Sequence, residues 1–260
     1  MKRSGYMCLL LIILLAASFI SGCARTVNMK SSSTPLSSPA ALPTGGDGKL
    51  TVVFMGNSKI YVSEIPTFFK KFVKGQSVSV TDLSVGAASF STHIERMKQD
   101  INAPIFKKAD VIVLQEYAGG IPNGYEELDT IMSIFGKNKK YYYYSAYTVA
   151  DDATIAATKA FFDKRNIELI PCWFLNEYSG PLKEENFHMP GDPHLGLLYG
   201  YGVAGIFYCM MYHKKCTDLP YDSDSLLMQI PGNKTDAEKA EIIKGIQEAC
   251  QKTMDKYEGK

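Results

Sequence analysis

Short apolar runs that alternate with helically patterned stretches constrain this chain more than any other feature. The run Lys49-Leu-Thr-Val-Val-Phe-Met55 is apolar and β-branched, and Gly56-Asn57 ends it, which predicts a buried strand and its turn. Residues 77–83 predict a second strand ending at Val85-Gly86, and Asp110-Val-Ile-Val-Leu-Gln115 a third. Residues 141–147 and 167–172 predict the fourth and fifth. The tyrosine run Tyr141 to Tyr144 suits a strand because aromatic side chains pack well on a pleated surface. Helices are expected between the strands. Ser63-Glu64-Ile65-Pro66 reads as one start, with Ser63 as the cap and Pro66 tolerated in the first turn. Thr92-His-Ile-Glu95 and Thr235-Asp-Ala-Glu238 read as capping boxes. Residues 124–135, 151–165 and 196–213 fill the remaining helical stretches, and the last helix runs to about Tyr257. The sequence shows no internal repeat. Short strands alternating with helices imply an α/β fold, a parallel sheet covered on both faces. In such a sheet, ligands bind beyond the carboxyl ends of the strands. The loops that begin at Gly56, Val85, Gln115, Tyr147 and Trp173 are therefore the places to look for chemistry.

The first 48 residues stand outside this pattern. Lys2 and Arg3 precede an uncharged apolar run over residues 7–20. That run is shorter than the roughly 20 residues needed to span a bilayer, and has the length of a signal-peptide core. It ends in Ile20-Ser21-Gly22-Cys23, which resembles the bacterial lipobox: a branched apolar residue, two small residues, and the cysteine that takes the lipid. Residues 1–22 are expected to be a lipoprotein signal peptide, and Cys23 the lipidated first residue of an exported, membrane-anchored chain. Residues 23–48, rich in Ser, Pro, Thr, Ala and Gly, read as a linker that cannot bury enough apolar surface to order itself. As a flexible chain it would have an end-to-end distance of roughly 25–30 Å. Residues 49–260 are the expected folded domain, of ordinary single-domain size.

Lys2 and Arg3 are the only charges before Cys23, so 28 Lys+Arg against 27 Asp+Glu becomes a net charge of −1 once residues 1–22 are removed. A nucleic-acid partner is not expected, because such a surface needs a basic excess. Past Cys23 the remaining cysteines are Cys172, Cys209, Cys216 and Cys250. On one continuous helix Cys209 and Cys216 would be separated by about 10 Å of rise, too far for a disulfide. Buried free thiols are expected instead.

The strand ends carry a serine, a glycine, a side-chain amide and a histidine, in chain order. They are Ser58 in Met55-Gly56-Asn57-Ser58, Gly86 in Val85-Gly86-Ala87-Ala88, Gln115 in Val113-Leu114-Gln115-Glu116, and His194 in Gly191-Asp192-Pro193-His194. A serine hydroxyl needs a base to become a nucleophile, and a histidine supplies one near neutral pH. A carboxylate or carbonyl must hold the imidazole tautomer. The oxyanion formed on attack needs donors placed in advance.

On these blocks the sequence resembles the SGNH hydrolases, the GDSL-like esterase superfamily, in the branch whose first block is Gly-Asn-Ser. The resemblance covers about residues 52–211. It implies an α/β/α sandwich of three layers with a five-stranded parallel sheet, flavodoxin-like, in strand order 2-1-3-4-5. It also implies that Ser58 is the nucleophile and His194 the base, with the Ser58 N–H, the Gly86 N–H and the Gln115 amide forming the oxyanion hole. The family's last block is usually Asp-x-x-His. Here only Pro193 separates Asp192 from His194, so Asp192 as orienting carboxylate departs from the pattern.

The remaining histidines and aromatic residues have other roles open to them. His93 reads as lying on a polar helix face, and His213, before Lys214-Lys215, as a helix-end cation; both are expected to be structural. His188, Asp192 and His194 could together hold a metal, but no further ligand or supporting partner is evident, so neither metal nor cofactor is expected. Trp173, Phe174 and Tyr178 could stack on a sugar or simply pack their loop. The expected activity is hydrolysis of small acyl esters, acetyl groups on cell-surface glycans among them, outside the cell. Two alternatives stay open: a glycan-binding module with a degenerate site, and an acyltransferase working through the same acyl-enzyme.

Overall fold

A computed structural model describes residues 48–116, 125–145, 152–172, 175, 194–220, 230 and 233–260. Five strands, β1 (Leu50–Met55), β2 (Val78–Asp82), β3 (Val111–Leu114), β4 (Lys140–Tyr144) and β5 (Ile167–Ile170), form one sheet. Every pairing is parallel and the order is β2-β1-β3-β4-β5. The helices are α1 (Ser58–Tyr61), α2 (Ile65–Phe72), α3 (Phe90–Gln99), α4 (Pro104–Lys108), α5 (Tyr125–Phe135), α6 (Asp152–Asp163), α7 (Leu197–Tyr212) and α8 (Asp236–Glu258).

Side-chain alternation along the strands builds a core on each face. Val52, Phe54, Val111, Val113, Tyr142 and Tyr144 point to one side, where α2, α7 and α8 cover them. Val53, Met55, Ile112, Leu114, Tyr141 and Tyr143 point to the other, under α3, α4, α5 and α6. The tyrosine run is thus divided between both cores, as a strand's period of two requires. The result is three layers, α/β/α. Both faces being buried explains why the inner strands β1 and β3 read as near-continuous apolar runs, while β2, half-buried at the edge, alternates.

Two helix starts depart from expectation. Ser63 does not cap α2. The capping position is Glu64, in a left-handed conformation at φ 51° and without a side-chain cap. Ser63 is instead buried, and its hydroxyl donates to the Leu195 carbonyl at 2.7 Å. Thr92 does not open α3 either. Ser89 caps it, its Oγ accepting the Thr92 N–H, and the helix begins two residues before Thr92. The short helices α1 and α4 were not expected; each holds only four or five residues, too few for a sequence period to show. The Thr235 capping box is formed on both its arms.

The cysteine argument also needs correcting. Cys172, Cys209, Cys216 and Cys250 are free and buried. Cys209 and Cys216 are not separated by helical rise, however. The chain turns at His213, φ 53°, and Cys216 returns in a 3-10 turn that brings it back beside Cys209. Among the described residues, no helix is long and apolar enough to cross a membrane.

Candidate active site

The serine loop follows directly from β1. Asn57 caps α1, its Oδ1 accepting the Lys59 N–H at 3.1 Å, and Ser58 is the first helical residue. Residues in a first turn have N–H groups without a helical partner, so the Ser58 N–H is of the type that can serve an external acceptor. Ser58 is half-buried. Its Oγ lies 2.9 Å from His194 Nε2, across 136 residues of sequence. His194 arrives on the segment leading into α7 and is also half-buried. Its neighbour Leu195 is held by the Ser63 hydroxyl, so the chain just past Ser58 anchors the chain just past His194.

The Gly86 loop is registered on the serine loop. After β2 leaves the sheet, Leu83 N–H still donates to Phe54 O at 2.8 Å and Val85 N–H to Gly56 O at 3.0 Å. Gly86 is the next residue, and Ala87 turns the backbone at φ 54°. A Cβ on Gly86 would stand 3.2 Å from the Tyr61 hydroxyl, which places Gly86 beside the last residue of α1. Tyr61 is 42% exposed, unusual for so large a ring. Asn57 Nδ2 donates to the Ala88 carbonyl at 3.4 Å and ties the two loops again.

Gln115 stands at the end of β3, 1% exposed. Its Oε1 accepts the Asn57 N–H at 2.9 Å, and its Nε2 donates to the Glu116 carbonyl. The amide therefore braces the serine loop from beneath. An amide nitrogen carries two protons, so one more than that given to Glu116 can face an oxyanion. Gly56 must be glycine for this packing: a Cβ there would sit 2.6 Å from Gln115 Oε1 and 2.7 Å from Ile60 Cδ1.

Three further residues support the site that the sequence did not assign to it. Asn57 is buried and works as cap and loop tie. Glu116 accepts the Phe90 N–H through Oε2 at 2.8 Å, fastening the start of α3 to the end of β3. His93 is 3% exposed, not on a polar face, and its Nε2 meets the Gly56 carbonyl at 2.8 Å. Burial lowers its pKa below the usual range, the Gly56 hydrogen bond opposes the shift, and Arg96 adds to it. The missed signal was the helix start. With α3 beginning at Phe90, positions 90, 93, 94 and 97 form its buried stripe.

Asp192, His188, Trp173, Phe174, Tyr178 and Cys23 lie outside the described residues. Of the expected site residues inside them, the structure brings Ser58, Gly86, Gln115 and His194 to one end of the sheet.

A doubly wound parallel sheet with a serine–histidine pair beyond its carboxyl ends defines the class to which this chain can be compared. No protein-family model and no curated protein matches it. Solved structures do. A DUF4886 family protein from Bacteroides uniformis is similar at a TM-score of 0.54 and 16% identity, over 79% of this chain and 95% of that one. A lipase/acylhydrolase from Enterococcus faecalis is similar at 0.48 and 12%, over 63% and 96%. A member of the lipolytic protein G-D-S-L family from Veillonella parvula is similar at 0.45 and 12%, over 62% and 96%. At such identities the likeness speaks for the fold alone: an α/β architecture with an all-parallel five-stranded sheet.

Proposed function

We propose that this chain is a serine esterase of the SGNH type that cleaves small acyl esters. The observation that carries the reading is the 2.9 Å approach of Ser58 Oγ to His194 Nε2. With the proton on Nδ1, His194 takes the Ser58 hydroxyl proton as the oxygen attacks the ester carbonyl. The tetrahedral oxyanion is held by the Ser58 and Gly86 N–H groups and the free proton of the Gln115 amide. His194 then hands its proton to the departing alkoxide, leaving an acyl-Ser58. Water, activated by the same imidazole, releases the acid and restores the hydroxyl. Asp192 orients the imidazole in this scheme.

The setting is part of the proposal. The signal-like residues 1–22 and the lipobox-like Cys23 support export and a lipid anchor, and with them an acylated surface glycan as substrate. A second reading, a glycan-binding module that does not hydrolyse, is favoured by one observation. The Gln115 amide is engaged at both its oxygen and its nitrogen within the protein.

The two readings separate on a simple ester. With the full chain and p-nitrophenyl acetate, Ser58→Ala and His194→Ala should each lower kcat by at least about 10⁴. Equal rates for wild type and Ser58→Ala would end the esterase reading.

A further inference from the structure

The peptide group between Gly56 and Asn57 is held at both ends by side chains from elsewhere in the chain. Its N–H, on Asn57, goes to Gln115 Oε1 at 2.9 Å. Its oxygen, on Gly56, meets His93 Nε2 at 2.8 Å and also takes the Val85 N–H at 3.0 Å. A carbonyl oxygen only accepts, so Nε2 of His93 carries the proton, and the two donors fill both lone pairs. This one oxygen stands one residue before Asn57-Ser58 and, through Val85, one residue before Gly86. The two backbone donors of the proposed oxyanion hole are thereby spaced from a single atom.

We infer that His93 is a positioning residue: through the Gly56 carbonyl it fixes the orientation of the Ser58 loop relative to the Gly86 loop. The inference rests on the esterase reading for its catalytic consequence, and on the hydrogen bonds alone for its structural one. His93 touches no reacting atom. Its place on α3 is itself secured near the site. The Ser89 hydroxyl caps the helix, and Glu116, next to Gln115, accepts the Phe90 N–H. Thus β3's end holds the peptide group at its N–H directly and at its oxygen through α3. Without His93, the Gly56 oxygen keeps the Val85 donor, so the loop remains folded but one of its two restraints is gone. Misplacement of about 1 Å at a reacting group costs on the order of 10² in rate.

The test compares His93→Leu, which removes the donor, with His93→Gln, which retains an N–H. In the full chain, kcat on p-nitrophenyl acetate should fall by about 10²-fold in His93→Leu, with KM within a few-fold of wild type. His93→Gln should recover most of that loss. Amide hydrogen exchange gives a readout that needs no activity. In His93→Leu the Asn57 amide should exchange much faster than in wild type, while those of Val53 and Ile112 in the strands stay as slow. Wild-type kinetics in His93→Leu, or an unchanged Asn57 exchange rate, would overturn the inference. Equal losses in both variants would also overturn it, since they would mean His93 acts by shape and not by its N–H. A wild-type chain inert to the ester would instead sink the esterase reading, and the exchange comparison would still decide the role of His93.

Discussion

At the scale of single residues, each proposed catalytic group is flanked by one that holds it. Ser58 follows its own helix cap, Asn57, and His194 precedes Leu195, whose carbonyl Ser63 holds. Asp192→Ala tests the least regular residue of the site: if Asp192 orients the imidazole, kcat should fall by about 10⁴ while KM changes little. A slight loss would pass the orienting role to another acceptor. His93 predicts a pH dependence of stability that is separate from catalysis. Its pKa in the folded chain lies below the ordinary value of 6.5, chiefly because burial disfavours the charged ring. The unfolded chain therefore takes up the proton first as pH falls. Stability from this group is complete above about pH 6.5 and is lost as the pH drops toward the folded-state value. Urea unfolding of wild type and His93→Gln from pH 8 to 5 should show the wild type losing more stability below pH 6.5. Parallel curves would contradict it.

At the scale of elements, the site depends on how closely α7 approaches the chain before α2. A Cβ on Gly200 would fall 1.7 Å from the Ser63 carbonyl oxygen, a backbone atom that cannot swing away. Gly200→Ala should therefore destabilise by about 1–3 kcal/mol or more, read as a lowered urea midpoint. It should also slow ester hydrolysis, because Ser63 is the anchor for Leu195 beside His194. Thr235→Ala, far in sequence from the site, loses the formed capping box of α8 and should cost about 1 kcal/mol with hydrolysis unchanged. β1, β3 and β4 were legible because burial on both faces makes them apolar or aromatic runs, whereas β2, half-buried at the sheet's edge, alternates apolar and polar residues. The tip of the serine loop was legible as a motif, but its supports were not. Gln115 looks the same in sequence whether it faces an oxyanion or braces Asn57. His93 was misread because a cap at Thr92 leaves Phe90 outside the helix; with the cap three residues earlier, at Ser89, Phe90, Ile94 and Met97 share one stripe and His93 falls on it. Glu64 at φ 51° left no sequence cue, since a non-glycine residue there is held by the packing around it and not by its own preference.

At the scale of the whole molecule, function is proposed to join two parts of the sequence: a site assembled at 50–200 and an anchor at Cys23. The anchor makes its own prediction. Wild type should fractionate with membranes, and Cys23→Ala should be released or stall in processing; identical processing and fractionation of the two would contradict the lipobox reading. The site makes the sharper one, because Ser58 and His194 are 136 residues apart and meet only through the order β2-β1-β3-β4-β5 and the docking of α7. A fluorophosphonate requires an activated serine, forms a stable bond with it, and can be located by peptide mass spectrometry. On the full folded chain the account predicts one labelled residue, Ser58, with labelling abolished by Ser58→Ala, strongly slowed by His194→Ala, and lost on unfolding. Label at another serine, or none at Ser58 in a folded chain, would contradict it.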